Sequence, residues 1–183
     1  MKEIKTYALN DSQMGVYLDQ INDLNTTKYN IPVMRKYSRL EIDIDKLILA
    51  TTKAIESSDI IHYSFDEIDG IPTMIRNDDI NFEVKHLCLR EEEIDKALLD
   101  FVKPFNLKDG NLVHASIIET LDNVYLLLDC HHIISDGTSI KLIIDRIDDL
   151  YHDREVKDSS YLLSSKSMDE QEESYKEIRW FKY

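Results

Sequence analysis

The segment HHIISDG at residues 131–137 sets two imidazoles, a carboxylate and a glycine close together. An imidazole with an ordinary pKa of about 6.5 is largely neutral near pH 7 and can take a proton from an attacking nucleophile, the chemistry that acyl transfer needs. The segment directly follows the apolar run VYLLLDC at 124–130, which reads as a strand. Neighbouring side chains of a strand point to opposite faces, so one of His131 and His132 is expected to face the reaction and the other the interior. Asp136 is expected to orient backbone or an arginine within the loop, as a buried charge whose loss is costly, and Gly137 to let a backbone N–H approach an oxyanion. The plainer alternative is that the histidines end a strand, Asp136 caps the next helix and Gly137 permits the turn. For one histidine or one Asp-Gly pair that alternative is preferable. Opposite-facing histidines with a single nearby carboxylate fall short of a zinc ligand set, so no metal is expected at this segment.

The motif needs elements to hold it. Met14, Tyr17, Leu18, Ile21 and Leu24 recur at helical spacing behind Asp11 or Ser12 as N-cap, and a strand with one wet face is expected over 33–42. Leu47, Ile48, Thr51, Ala54 and Ile55 predict a second helix capped by Asp43 or Asp45. A strand is expected over 60–65, then a turn at Asp69, Gly70 and Pro72 and an extended piece over 73–76. Phe82, Val84, His86 and Cys88 alternate as a further strand, and Ile94 to Val102 forms a helix that must stop before Pro104. Strands over 113–120 and 124–129 are joined by a tight hairpin at 121–123. Ile140, Ile143, Ile144, Ile147, Leu150 and Tyr151 then share a helical face capped by Thr138 or Ser139, which sets the motif on a strand-to-helix connection. An exposed loop is expected over 153–168 and a last helix through Tyr175, Ile178 and Phe181.

At 183 residues, 43% hydrophobic, with four Gly and three Pro, the chain is sized and composed for one folded unit. Its formal charge of −14 repels phosphate backbones and anionic lipid heads, so neither nucleic acid nor a membrane surface is an expected partner. There is no apolar run long enough to span a bilayer and no secretory signal in MKEIKTYALNDSQ, so a cytoplasmic location is expected. Cys88 and Cys130 are expected to be buried, reduced thiols. His86 reads as a structural side chain and His152 as a partner for a helix C-terminus.

HHIISDG followed by Thr138 and Ser139 resembles the HHxxxDG signature of the condensation domains of nonribosomal peptide synthetases, shared with chloramphenicol acetyltransferase and the dihydrolipoyl acyltransferases. LNDSQMGVYL at 9–18 is similar to the family's opening helix, with Ser12, Gln13 and Tyr17 in register, and PFNLKDGNL at 104–112 to its Pro-Phe-Asp-Leu-x-x-Gly-Pro-Leu segment. Gly70 and Pro72 match a family turn, and Tyr175 and Trp180 the helix region that closes the first half. The chain departs from the pattern at SSDIIHY, 57–63, where Ser57 and His62 replace two arginines; Asn106 and Asn111 replace an aspartate and a proline, changes expected to matter less.

The resemblance implies an α/β (α+β) two-layer sandwich, a mixed β-sheet flanked by helices of the chloramphenicol acetyltransferase type. It implies that residues 1–183 are the amino-terminal half of a condensation domain, whose carboxyl-terminal half is the missing partner across a central channel. It implies an acyltransferase that joins a carrier-bound acyl or peptidyl thioester to the amine of a carrier-bound aminoacyl thioester. The partners are then upstream and downstream peptidyl carrier proteins. Nothing is bound directly as cofactor; both substrates hang on 4'-phosphopantetheine arms. His132 corresponds to the residue nearest the reaction, His131 to its inward neighbour, Asp136 to the structural carboxylate and Gly137 to a backbone contact. The competing expectations are a trimeric CoA- or lipoyl-dependent acetyltransferase and a non-catalytic domain that docks carriers.

Overall fold

A computed structural model describes residues 5–78 and 82–155. The expected last helix, with Tyr175, Ile178, Trp180 and Phe181, and most of the expected loop over 153–168 lie outside the described residues.

The elements run β1 (Thr6–Ala8), α1 (Asp11–Asn22), β2 (Asn30–Ser38), α2 (Ile44–Glu56), β3 (Tyr63–Ile68), β4 (Ile71–Arg76), β5 (Val84–Cys88), α3 (Ile94–Phe101), β6 (Val113–Glu119), β7 (Asn123–His131) and α4 (Gly137–Tyr151). They form two sheets, a three-stranded one in the order β1-β4-β3 and a four-stranded one in the order β2-β7-β6-β5. The larger sheet is mixed: β5 runs parallel to β6, and the other pairs are antiparallel. A parallel pair needs a crossover, and α3 supplies it.

One face of the larger sheet carries Val33, Ala115, Ile117, Leu126, Leu128 and Cys130 against Leu47, Ala54 and Ile55 of α2 and Ile140, Ile143, Ile144 and Ile147 of α4. The other face packs Ile118, Tyr125 and Leu127 on Ile94, with Leu98 and Phe101 of α3 beside them. β7 is therefore covered on both sides and reads as a continuous apolar run, buried from Val124 to His131. β2 starts three residues earlier than expected and contains Pro32; it is an edge strand, where a missing amide proton is tolerated. Its far end turns away at Arg39 so that Asp43 can cap α2 through Lys46 N.

The smaller sheet corrects another expectation. A 3-10 turn, Asp59–His62, occupies the start of the strand expected over 60–65. β3 and β4 then pair across Asp69 and Gly70, both with positive φ (52° and 79°), the left-handed pair of a two-residue hairpin. α1 is capped by Asn10, one residue before the nearer expected position, and Leu24 falls beyond its end, exposed. Of the two cysteines only Cys130 is buried. Cys88 is exposed, because β5 is the other edge strand and only Val84 on it is covered.

Candidate active site

The motif lies at the end of β7. The strand's ladder runs on through it: His131 N–H donates to Leu112 O (2.9 Å) and His132 N–H to Tyr29 O (2.8 Å). Then the chain turns sharply, with Ile134 N–H and Ser135 Oγ both donating to His131 O (3.1 Å each), and enters α4. Ile133 and Ile134 are buried and anchor the turn in the core.

His131 is the inward ring, with no exposed surface. Its Nδ1 accepts from Ile133 N–H (3.1 Å), which assigns the ring proton to Nε2, 3.3 Å from Gln20 Oε1. Burial, with the neighbouring His132 adding to it, pushes its pKa down to about 4, so this ring is neutral and serves as a strut. Phe105 meets it edge-on at 5.7 Å and stacks on His114 at 4.4 Å.

α1 grips the same loop from above. Gln13 Oε1 accepts from Asn10 N–H (3.2 Å) to close a capping box, while its Nε2 donates to Ile133 O (3.2 Å). An amide has both a donor and an acceptor to offer; a glutamate in the capping box would lose the second bond. The 104–112 segment ties the two sheets to the motif, since Leu107 O accepts from Phe65 N–H (2.8 Å) and Leu112 O from His131 N–H. Within it, Asn106 makes the turn its aspartate counterpart would, accepting from Lys108 N–H (3.1 Å). Asn111 has φ 53°, which a proline ring cannot adopt, so this replacement alters the backbone and is larger than the sequence implied.

His132 is half-buried. Its Nδ1 is sealed from solvent and has no partner among the described residues, which leaves Nε2 as the nitrogen able to meet a substrate. Asp136 is the N-cap of α4: its Oδ1 accepts from Ser139 N–H (2.7 Å) and Ser139 Oγ–H (2.8 Å). No basic side chain among the described residues pairs with it, and it is only partly buried, so of the two expected roles it takes that of orienting backbone, as a helix cap two residues before the nearer expected cap position, and the expected costly buried charge is not found. Asp136→Asn should therefore fold about as stably as the parent, whereas Asp136→Ala should lose about 1 kcal/mol, read as a shift in denaturant midpoint. Gly137 and Thr138 open α4, where amides precede the helix ladder and carry its positive end. Ser57 and His62 do not reach Asp136: Ser57 Oγ bonds Ala54 O (3.1 Å) at the end of α2, and His62 sits in the 3-10 turn.

Three residues at the motif escaped the sequence reading: Gln20, Asn30 and Asp129. Asp129 has no exposed surface, accepts from Asn30 Nδ2 through Oδ2 (2.6 Å), and is pushed up to about 7 by burial against the lowering effect of Asn30 and the Ile31 backbone. Asn30 Nδ2 also donates to Lys103 O (2.9 Å) and Asn30 is the cross-strand partner of His131. The one available signal was an aspartate inside an otherwise apolar strand.

A histidine pair at a strand end, braced from behind and leading into a helix N-terminus on a mixed sheet, is the arrangement that the resemblance to the HHxxxDG signature implied. The condensation domain family model matches residues 3–178, and the chain belongs to that family. It is 31% identical over 153 residues to surfactin synthase subunit 2 of Bacillus subtilis, covering 82% of this chain and 4% of that protein. It is 32% identical over 152 residues to bacitracin synthase 2 of Bacillus licheniformis, covering 82% and 6%. Among solved structures, the starter condensation domain of the rhizomide synthetase RzmA superposes with a TM-score of 0.71 at 22% identity over 80% of this chain and 37% of that one. The condensation domain of the monacolin K polyketide synthase MokA gives 0.74 at 14% identity, over 84% and 36%. The expected fold is thereby established. The chain spans a small fraction of the curated synthetases and little more than a third of these condensation-domain structures. Among the described residues no helix is long and apolar enough to cross a membrane.

Proposed function

We propose that this chain is the amino-terminal half of a condensation domain that forms an amide between two carrier-bound substrates. The amine of an aminoacyl thioester adds to the carbonyl carbon of an upstream acyl or peptidyl thioester. The tetrahedral intermediate then collapses, the C–S bond breaks, and the upstream phosphopantetheine leaves as its thiol with the proton shed by the amine.

The observation that carries this reading is the delivery of His132: a half-buried ring on a loop that His131, Gln13 and the core isoleucines hold from behind. An α-amine with an ordinary pKa near 7.7 is partly deprotonated at neutral pH, so orientation and stabilisation of the intermediate outweigh proton removal. The tautomer supports this. With no acceptor for a proton at Nδ1 among the described residues, the proton is favoured on Nε2, which makes His132 a donor to the developing oxyanion. The leading amides of Gly137 and Thr138 supply further positive potential nearby.

Ser57 and His62 in place of the family's arginines, and Asp136 without a basic partner among the described residues, favour a second reading, a domain that docks carriers without catalysing. Both are tested by supplying the intact parent protein with loaded donor and acceptor carriers and looking for the amide by mass spectrometry. Amide formation is expected. The 183-residue chain by itself is expected to give none, because one half offers no second wall to orient two thioester arms, and orientation supplies roughly 7–11 kcal/mol of barrier reduction. No amide from the parent with both carriers verified as loaded would leave the docking reading. Acetyl transfer from CoA by a trimer of the chain alone would revive the acetyltransferase alternative.

A further inference from the structure

At the end of β6 remote from the motif, three ligating side chains that are far apart in the sequence converge on one point. His86 and Cys88 stand two apart on β5, hence on one face, and the parallel register sets Cys88 opposite Glu119. Glu119 Oε2 lies 3.3 Å from His86 Nε2 and 3.8 Å from Cys88 Sγ, and the three ligand atoms are all within 4.8 Å of one another. We propose that His86, Cys88 and Glu119 form a binding site for a divalent transition metal, zinc by preference, that clips the edge strand β5 to β6.

Zinc–ligand lengths of about 2.0–2.1 Å to nitrogen, 2.3 Å to sulfur and 2.0–2.2 Å to oxygen put the edges of a tetrahedron at roughly 3.3–3.5 Å between nitrogen and oxygen and roughly 3.5–3.7 Å where sulfur is one end. The carboxylate–imidazole separation already matches such an edge, and the carboxylate–thiol separation needs only a small side-chain adjustment. A nitrogen, a sulfur and an oxygen together suit zinc better than magnesium or calcium, which take oxygen.

The carboxylate is prepared for the task. Arg39 Nε donates to Oε1 at 2.6 Å, fixing the orientation of the group and leaving Oε2 turned toward the other two ligands. Arg39 is itself tied to Ile42 O (3.4 Å). The guanidinium is a positive charge near a cation site, but Glu41, Asp43 and Asp45 line the same open depression of about 570 Å³ with Arg39, His86 and Glu119, and they leave its field negative. With His86 and Glu119 lining the depression and Cys88 exposed beside them, three protein ligands leave the fourth position to water.

The site is structural in kind. Val113, at the other end of β6, is the strand partner of Cys130, next to the histidine motif, and six residue steps of strand make about 20 Å. What the metal would secure is β5, exposed over all but Val84. The sequence reading took His86 as structural and Cys88 as a buried thiol; only the parallel register of β5 on β6 brings Glu119 to them.

The full chain, free of metal and of any histidine tag, is titrated with Co²⁺ under reducing conditions, and Zn²⁺ then competes for the site. One equivalent of cobalt should bind with a thiolate-to-cobalt charge-transfer absorption that zinc abolishes, and zinc should raise Tm. Cys130 is fully buried in the core, so the thiolate band reports Cys88. Cys88→Ser should remove the band, and His86→Ala and Glu119→Gln should each weaken binding by more than the roughly 10–100-fold typical of losing an outer-sphere partner. Because Cys88 is exposed, the metal-free Cys88→Ser variant should keep the parent's Tm, which separates lost binding from lost fold. Absence of saturable binding, or a thiolate band that survives His86→Ala and Glu119→Gln at unchanged affinity, overturns the site.

Discussion

His132→Ala in the intact parent is expected to lower amide formation by about 10²–10³-fold, the range found when one oxyanion donor is lost. Its stability should change little, since the ring is half-buried, its Nδ1 has no partner to lose, and the backbone bond to Tyr29 O remains. The rate is measured under single turnover with both carriers loaded, so that binding and chemistry are separated. His132→Gln then distinguishes the two ways the ring can act. A glutamine keeps an N–H donor on a flexible stem but cannot accept a proton at neutral pH. If His132 stabilises the intermediate, the glutamine variant should recover part of the activity lost in the alanine variant; if it is a general base, the two should be equally poor, at about 10²–10⁴-fold below the parent. His131→Gln should act differently, through the fold: it breaks the Ile133 N–H bond and leaves Gln20 unpaired, so its defect should follow the folded fraction. Unchanged activity in His132→Ala removes the assignment altogether.

The division of labour between the two histidines was legible because it needs only the alternation of a strand and a motif at its end. The helices were legible for a related reason. The apolar stripe of α4, Ile140 to Ile147, is periodic and all buried. What failed were features decided by register and by position in the sheet. β2 starts ahead of the expected position and takes in Pro32, which only the edge position of that strand admits. Alternation along β5 predicted a buried face, but an edge strand with α3 over one side leaves His86 and Cys88 open. Asp136 was weighed as an ion-pair partner and as a cap; the missing arginines were a visible hint for the cap, and Ser139 three residues on is the partner a cap requires. Gln20 and Asn30 carry no local signal at all, because each acquires its role through a contact made about a hundred residues away in sequence.

Asp129 was legible only as an anomaly, and it carries the largest expected effect on stability. In wild-type protein the unfolded chain ionises this carboxyl near its ordinary value of 3.8, whereas burial holds it protonated in the fold up to about 7. A pKa raised in the folded state contributes stability that is complete below 3.8 and is lost as pH rises to 7, by up to about 4 kcal/mol across the window. His131 has the opposite sign. Its pKa falls from 6.5 to about 4 on folding, so the unfolded chain takes up a proton first and stability is lost as pH falls from 6.5 to 4. In the parent the two slopes oppose each other between pH 4 and 6.5, and their sum is close to flat. Asp129→Asn removes one of them. The variant should therefore gain stability relative to the parent with every unit from pH 4 to 7, at up to about 1.4 kcal/mol per unit, and the advantage should level off above 7. A constant offset is expected as well, since an asparagine brings an N–H pair to where Oδ1 has no partner among the described residues, but an offset does not alter the slope. Urea midpoints and m-values for parent and variant at half-unit intervals from pH 4 to 8 measure the difference, in which the other titrating groups largely cancel. Parallel curves would mean that Asp129 is ionised throughout and that Asn30 and the Ile31 backbone compensate a buried charge, a result that would also remove the opposition to His131 at the base of the motif.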